Sequence, residues 1–160
     1  SAIRVMPNTS ASIQESATTM AYLETTPPNY VNFCETLFRA TGKIEKINES
    51  QMDICTALCG SGPAYIYKIA QLFIDTGIEQ GLSKETSETL VKQMLFGAAT
   101  LLKDTPKSTN TLIQEISSPN GTTEAGLTAF EDQNIPKKLI ESIKKAEQRS
   151  KELSKLHINE

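Results

Sequence analysis

GPAYIYKIAQLFIDTGIEQG, residues 62–81, is the stretch that decides the fold. Pro63 stands where a helix tolerates proline, in its first turn, with Gly62 as the cap ahead of it and Gly81 as the stop. Between them Tyr65, Ile66, Ile69, Leu72, Phe73, Ile74 and Ile78 cover more than one helical face. That pattern predicts a central helix buried from several sides. Ser83 then caps a second long helix, in which Leu90, Val91, Met94, Leu95, Ala98, Leu101 and Leu102 form an apolar stripe. Gly97, Ala98 and Ala99 in the same helix permit the close approach of a neighbour.

Further along, residues 111–116 read as a short helix and 117–123 as a turn-rich stretch. Another helix is predicted over about 122–133. Pro136 starts the last helix, where Leu139, Ile143, Ala146, Leu153 and Leu156 make a narrow seam over a heavily charged face. Such a seam packs against a partner rather than filling a core. In the other direction, Met52, Cys55, Leu58 and Cys59 share a face of a short helix that stops at Gly60. The first fifty residues differ in kind. Residues 2–6, 17–23 and 43–47 read as strands, and Pro27-Pro28 opens a helix carrying Tyr30, Phe33, Cys34, Leu37 and Phe38 at helical spacing. Gly42 is placed to end that helix at its C′ position. Strand, strand, helix, strand is the tail of an α/β layer, with too few elements to close a sheet alone.

Composition excludes several classes. The 160 residues carry 16 basic and 19 acidic side chains, a net charge of −3 with one histidine. A sequence-blind nucleic-acid binder needs a concentrated positive surface, so no nucleic-acid partner is expected. At 38% hydrophobic and 22% charged the chain has a globular composition. No apolar run approaches the roughly 18 residues of a membrane span, and no membrane partner is expected. Three cysteines without a secretory signal read as reduced thiols in a cytoplasmic protein.

Gly60-Ser61-Gly62 invites a dinucleotide-binding reading, but Tyr65 stands at the third glycine position and a helix, not a strand, precedes it. A helix–helix corner with glycines for close packing is the plainer account. Cys55 and Cys59 lie four apart on one helical face, yet the lone His157 near the C-terminus cannot complete a zinc site with them. No metal site is expected, and His157 reads as a solvated residue on the last turn.

The chemistry-bearing stretch is Ser118-Pro-Asn-Gly-Thr-Thr-Glu124, a tight turn feeding directly into a helix. Unpaired backbone N–H groups converge near residues 121–123, and with the positive end of the helix dipole they favour an anion. The hydroxyls of Ser118, Thr122 and Thr123 add donors. Without an Arg or Lys in the turn, a small carboxylate suits it better than a polyphosphate. The structural alternative stays open: Thr122 as a plain N-cap, Asn120-Gly121 as a plain turn.

Three segments together, Arg4-Val-Met-Pro-Asn-Thr9, Thr56-Ala-Leu-Cys-Gly-Ser-Gly-Pro-Ala-Tyr65 and Ser117-Ser-Pro-Asn-Gly-Thr-Thr-Glu-Ala-Gly-Leu127, resemble in order and spacing the hallmark stretches of pyrroline-5-carboxylate reductase. The resemblance runs over practically the whole chain. It implies a mainly α fold: a helical dimerisation domain of the 6-phosphogluconate dehydrogenase C-terminal type, preceded by a remnant of an α/β Rossmann domain. The division expected is 1–48 for the remnant and 49–160 for the helical dimerisation and substrate-binding domain. The missing glycine fingerprint makes the sequence read as a C-terminal part, inactive alone, with Ser1-Ala2 as a cloning remnant.

The resemblance also implies roles. The family reduces a cyclic imino acid to proline with NADPH or NADH. Ser118, Gly121, Thr122 and Thr123 match the loop that holds the imino-acid carboxylate. Thr123 matches the threonine near the substrate's ring nitrogen, which makes it the expected catalytic residue. Met6, Pro7 and Asn8 match the strand end beside the nicotinamide. The family's intertwined homodimers imply a homodimer or higher homo-oligomer here. Departures stand at Ser10, where proline is usual, at Glu15-Ser16, where glycine is common, at Cys59 for serine, and at Asn120 for glycine. Two rival readings are an inactive helical dimerisation module and a domain of a related Rossmann-plus-helical imine reductase or dehydrogenase.

Overall fold

The structure, a computed structural model, describes residues 2–156. The readings of Ser1 as part of a cloning remnant and of His157 as solvated lie outside the described residues. In chain order the elements are β1 (Ile3–Met6), β2 (Ser16–Tyr22), α1 (Pro28–Arg39), β3 (Gly42–Lys46), α2 (Met52–Cys55), α3 (Gly62–Glu79), α4 (Lys84–Asp104), α5 (Thr109–Ile116), α6 (Thr122–Asp132) and α7 (Ile135–Leu156). The chain is mainly α with one small sheet. It forms two compact units, Ser1–Tyr65 with Ile140–Glu160, and Ile66–Leu139.

In the first unit the sheet order is β1-β2-β3, with β2 antiparallel to β1 and parallel to β3. Parallel neighbours need a crossover, and α1 supplies it between β2 and β3. Strand β2 is central and covered: Ser16, Thr18, Thr19, Met20 and Ala21 are all buried. Two of its buried hydroxyls pair within the strand, Ser16 Oγ lying 2.9 Å from Thr18 Oγ1. Met52 of α2 is equally buried, and Thr19 Oγ1 donates to its Sδ at 3.6 Å.

Gly42 does not end α1 as a left-handed C′ residue. It is the first residue of β3, with φ at +148°, and pairs with Ser16. A Cβ there would stand 2.2 Å from the Ser16 carbonyl oxygen. Close backbone approach, not helix termination, requires this glycine.

The predicted short helix over 52–59 is two pieces. α2 closes at Cys55, and a wider π-turn spans Thr56–Gly60, closed by Ser61 N–H donating to the Thr56 carbonyl at 2.9 Å. Gly62 is the first residue of α3 rather than its cap, a one-residue difference at a helix boundary. The C-terminal half of α7 is tied to α2, since Ser150 Oγ donates to Asp53 Oδ1 at 2.6 Å.

In the second unit α3 ends as the sequence predicts. Gly81 has φ +98° and donates to the Ile78 carbonyl at 3.0 Å, while Leu82 N–H donates to the Gly77 carbonyl at 3.0 Å. These are the two bonds of a Schellman motif. Ser83 caps α4 by accepting the Thr86 N–H at 3.1 Å. Ser108, not singled out by the pattern, caps α5 in the same way, from Thr111 N–H at 3.1 Å.

Helix α3 is not buried from several sides in the single chain. Ile74 is buried, but Tyr67 is 64% exposed and Leu72 and Phe73 are more than half exposed. In α4, Val91 is buried while Leu90, Phe96 and Leu101 stand mostly exposed. The apolar content of these helices is surface that calls for cover, and one chain does not supply it. Within the chain, nothing among the described residues lies within 4 Å of a Cβ built at Gly97, so the surface there stays open to a neighbour. The close approach is at Gly77, where a Cβ would stand 2.4 Å from Ser87 Oγ. Ser87 is itself buried and donates to the Ile74 carbonyl at 2.8 Å. No described helix is long and apolar enough to cross a membrane.

Candidate functional site

The turn before α6 is a tight loop that runs straight into the helix. Ser118 and Gly121 close it, Gly121 N–H donating to the Ser118 carbonyl at 2.9 Å. Asn120 carries the turn at φ +57°, a left-handed conformation that asparagine adopts more readily than most residues. Gly121, not Thr122, is the N-cap, and it makes no side-chain cap bond. The first intrahelical bond is Ala125 N–H to the Gly121 carbonyl at 3.1 Å. Among the described residues the N–H groups of Thr122 and Thr123 therefore have no intrahelical acceptor and no capping side chain. Ser118 and Thr122 are exposed and Thr123 is half-buried.

Glycine is needed at 121 because a Cβ would meet Ser118 Oγ at 2.4 Å and the Ser118 carbonyl oxygen at 2.9 Å. The turn brings Ser118, Gly121, Thr122 and Thr123 together within six positions. Two neighbours have no role in the sequence reading. Ser117 Oγ is buried with no hydrogen-bond partner among the described residues. Glu124 reaches back so that its Oε2 accepts the Asn120 N–H at 2.7 Å. The signal for the second is present in the sequence: a glutamate three residues after the N-cap is placed to reach the chain ahead of the helix.

Met6, Pro7 and Asn8 belong to the other compact unit, at the end of β1. Met6 packs against the π-turn, its Sδ lying 3.2 Å from where a Gly60 Cβ would be. Pro7 is exposed. Asn8 has both ends of its side-chain amide engaged: Oδ1 accepts Ser10 N–H at 3.1 Å, and Nδ2 donates to the Cys59 carbonyl at 3.1 Å. Its backbone N–H donates to Ser16 Oγ at 3.2 Å. The departure at Ser16 is thus accommodated, the serine hydroxyl serving as a buried anchor for the strand end.

Cys55 and Cys59 are both free and half-buried. Burial, and next the neighbouring Cys59, push the Cys55 thiol above its ordinary value, so it stays protonated at neutral pH. Among the described residues no group of three or more His, Cys, Asp and Glu is placed to hold a metal ion.

A small mixed sheet leads into helices whose apolar faces the chain itself leaves exposed, the form of a helical assembly domain. Residues 49–153 match the family described as pyrroline-5-carboxylate reductase dimerisation. The chain belongs to the pyrroline-5-carboxylate reductase family. It is 41% identical over 152 residues to pyrroline-5-carboxylate reductase 1 of Bacillus spizizenii, covering 95% of this chain and 51% of that protein. The enzyme of Arabidopsis thaliana is 38% identical, with 95% and 55% covered. Among solved structures, the Coxiella burnetii pyrroline-5-carboxylate reductase superposes with a TM-score of 0.89 at 37% identity, over 94% of this chain and 56% of that one. The Plasmodium falciparum pyrroline carboxylate reductase, solved with NADP bound, gives 0.88 at 32% identity, over 94% and 62%. The chain spans about half the length of the curated relatives it matches.

Proposed function

We propose that this sequence forms the substrate-holding and dimerising part of an NADPH- or NADH-dependent pyrroline-5-carboxylate reductase, acting in proline biosynthesis. The turn before α6 carries the reading. Its unpaired N–H groups at Thr122 and Thr123, with the Ser118 hydroxyl, suit the carboxylate of 1-pyrroline-5-carboxylate. The half-buried Thr123 hydroxyl stands beside the ring nitrogen of a substrate that arrives as its iminium, and it holds the ring rather than delivering a strong acid's proton.

In this reading Met6 and the exposed Pro7, apolar residues at the end of β1, take the face of the nicotinamide ring. Asn8 acts indirectly there, since its amide is spent tethering the strand end to the Cys59 carbonyl. The nicotinamide, when bound, supplies the hydride for the imine carbon. The chain's own contribution is placement of substrate and ring, and a polar setting for the nitrogen.

In this reading residues 1–48 belong to the nucleotide-binding side and 49–160 to the helical dimerisation and substrate-binding domain. The exposed apolar faces of α3 and α4 support a homodimer or higher homo-oligomer. The reading takes the small imino acid as ligand, no nucleic-acid or membrane partner, and a cytoplasmic location. A second reading is favoured by the absence of a G-x-G-x-x-G fingerprint from these residues: taken alone, the 160 residues dimerise without turning over substrate.

The test is steady-state kinetics on the full-length protein that carries this sequence. Thr123→Ala and Ser118→Ala should raise KM for 1-pyrroline-5-carboxylate and lower kcat/KM. Unchanged kinetics in both would overturn the assignment.

A further inference from the structure

Glu124 lies in the first turn of α6, yet its carboxylate does not cap the N–H groups of that turn. Its Oε2 accepts the N–H of Asn120 at 2.7 Å instead, one residue ahead of the N-cap. Asn120 is the residue of the turn that holds a left-handed conformation, at φ +57°, which side-chain-bearing residues adopt at a cost. The bond therefore fixes the least favourable residue of the loop. In the same turn Gly121 N–H closes on the Ser118 carbonyl at 2.9 Å, and among the described residues the next two N–H groups have no acceptor.

We propose that Glu124 is a positioning residue for the substrate carboxylate, locking the turn formed by residues 118–121 through the Asn120 N–H so that the N–H groups of Thr122 and Thr123 stay available. The inference rests on the reading of this loop as the substrate-carboxylate site. It adds that a negatively charged side chain beside that site serves it as a brace. The acceptor oxygen matters rather than the charge, so glutamine can replace glutamate.

The experiment uses the full-length protein that carries this sequence, in three forms: parent, Glu124→Ala and Glu124→Gln. Two substrates are compared at saturating NADPH, 1-pyrroline-5-carboxylate and 1-pyrroline, the same ring without the carboxylate. Glu124→Ala should raise KM for the carboxylate substrate about three- to tenfold, the span of one lost hydrogen bond, with kcat within about twofold. Glu124→Gln should restore KM to within about twofold of the parent. For 1-pyrroline, which lacks the carboxylate, the rise in Glu124→Ala should be clearly smaller than for 1-pyrroline-5-carboxylate. An equal rise for both substrates, no rise at all, or a glutamine variant no better than alanine overturns the proposal. If the parent itself does not prefer the carboxylate substrate, the loop is not a carboxylate site and the underlying reading fails. Amide exchange gives a separate check, since the Asn120 N–H should exchange faster in Glu124→Ala than in Glu124→Gln.

Discussion

Asn8 and Cys59, fifty-one positions apart in sequence, are joined by a side-chain amide donating to a backbone carbonyl at 3.1 Å. The same asparagine accepts the Ser10 N–H at 3.1 Å and so caps the short 3-10 turn Thr9–Ile13. One side chain thereby fixes the end of β1 both to the adjoining loop and to the π-turn ahead of α3. Replacing it with alanine removes both bonds and leaves the carbonyl without its partner. Asn8→Ala should lose about 1–2 kcal/mol of stability, read by urea denaturation. A variant as stable as the parent would mean that water replaces the tether without cost.

A harsher outcome is expected at Gly42. An added Cβ would stand 2.2 Å from the Ser16 carbonyl oxygen and 2.4 Å from its nitrogen, and both are backbone atoms that cannot swing away. The +148° φ adds strain for any L side chain. Gly42→Ala should therefore break the first rung of the β2–β3 pairing and cost more than about 3 kcal/mol. Thermal unfolding measured by circular dichroism checks this, and a Tm near that of the parent would refute it.

These two sites show how much is legible in the sequence. Features set within a few residues are readable: the Pro28 start of α1, the Ser83 cap, the Gly81 stop and the turn over 117–123 feeding a helix. Features that depend on a distant partner are not. Gly42 has the look of a helix terminator because nothing local reveals Ser16 against it. Gly77 carries no local signal of a close contact, yet within the chain it is where Ser87 comes nearest. The π-turn at 56–60 shifts the helical spacing, burying Ala57 and exposing Leu58, and no residue in the sequence announces it. The faces of α3 and α4 announce that they are covered, and sequence pattern alone does not distinguish cover by the same chain from cover by another. At the candidate site the donors are legible, while the back-bond of Glu124 to Asn120 requires coordinates.

The thiols provide a pH test. Burial first, and Cys59 second, raise the pKa of Cys55 in the folded chain. The unfolded thiol deprotonates first as pH rises, so between the unfolded and folded values the native state binds more protons. Stability from this group is therefore fully present below the ordinary thiol range and falls as pH climbs through it. Alkylation of Cys55 by iodoacetamide, read by mass spectrometry, should show a midpoint above that of a free cysteine. Cys59→Ser should move the midpoint down, because it removes the second cause and leaves the first. A Cys55 that alkylates with an ordinary profile would show that the thiol is open to water.

Ser150 breaks the apolar seam of α7 between Ala146 and Leu153, and its hydroxyl donates to Asp53 Oδ1 at 2.6 Å. Ser154 Oγ, one turn on, is 3.5 Å from the same oxygen, at the limit of a useful bond. A polar residue in a seam costs apolar contact but fixes register, because only one alignment satisfies it. The short bond to a carboxylate is charge-assisted, and Asp53 without it would be a half-buried charge lacking its best donor. Ser150→Ala and Asp53→Ala should each lose about 1–2 kcal/mol, and the double variant should lose less than their sum by about 1 kcal/mol. Ser154→Ala should stay within about 0.5 kcal/mol of the parent, as expected for a contact this long. Urea unfolding of the four variants closes the cycle. Strict additivity of Ser150→Ala and Asp53→Ala would mean that the seam is held by its apolar residues alone, with Ser150 a passenger in it.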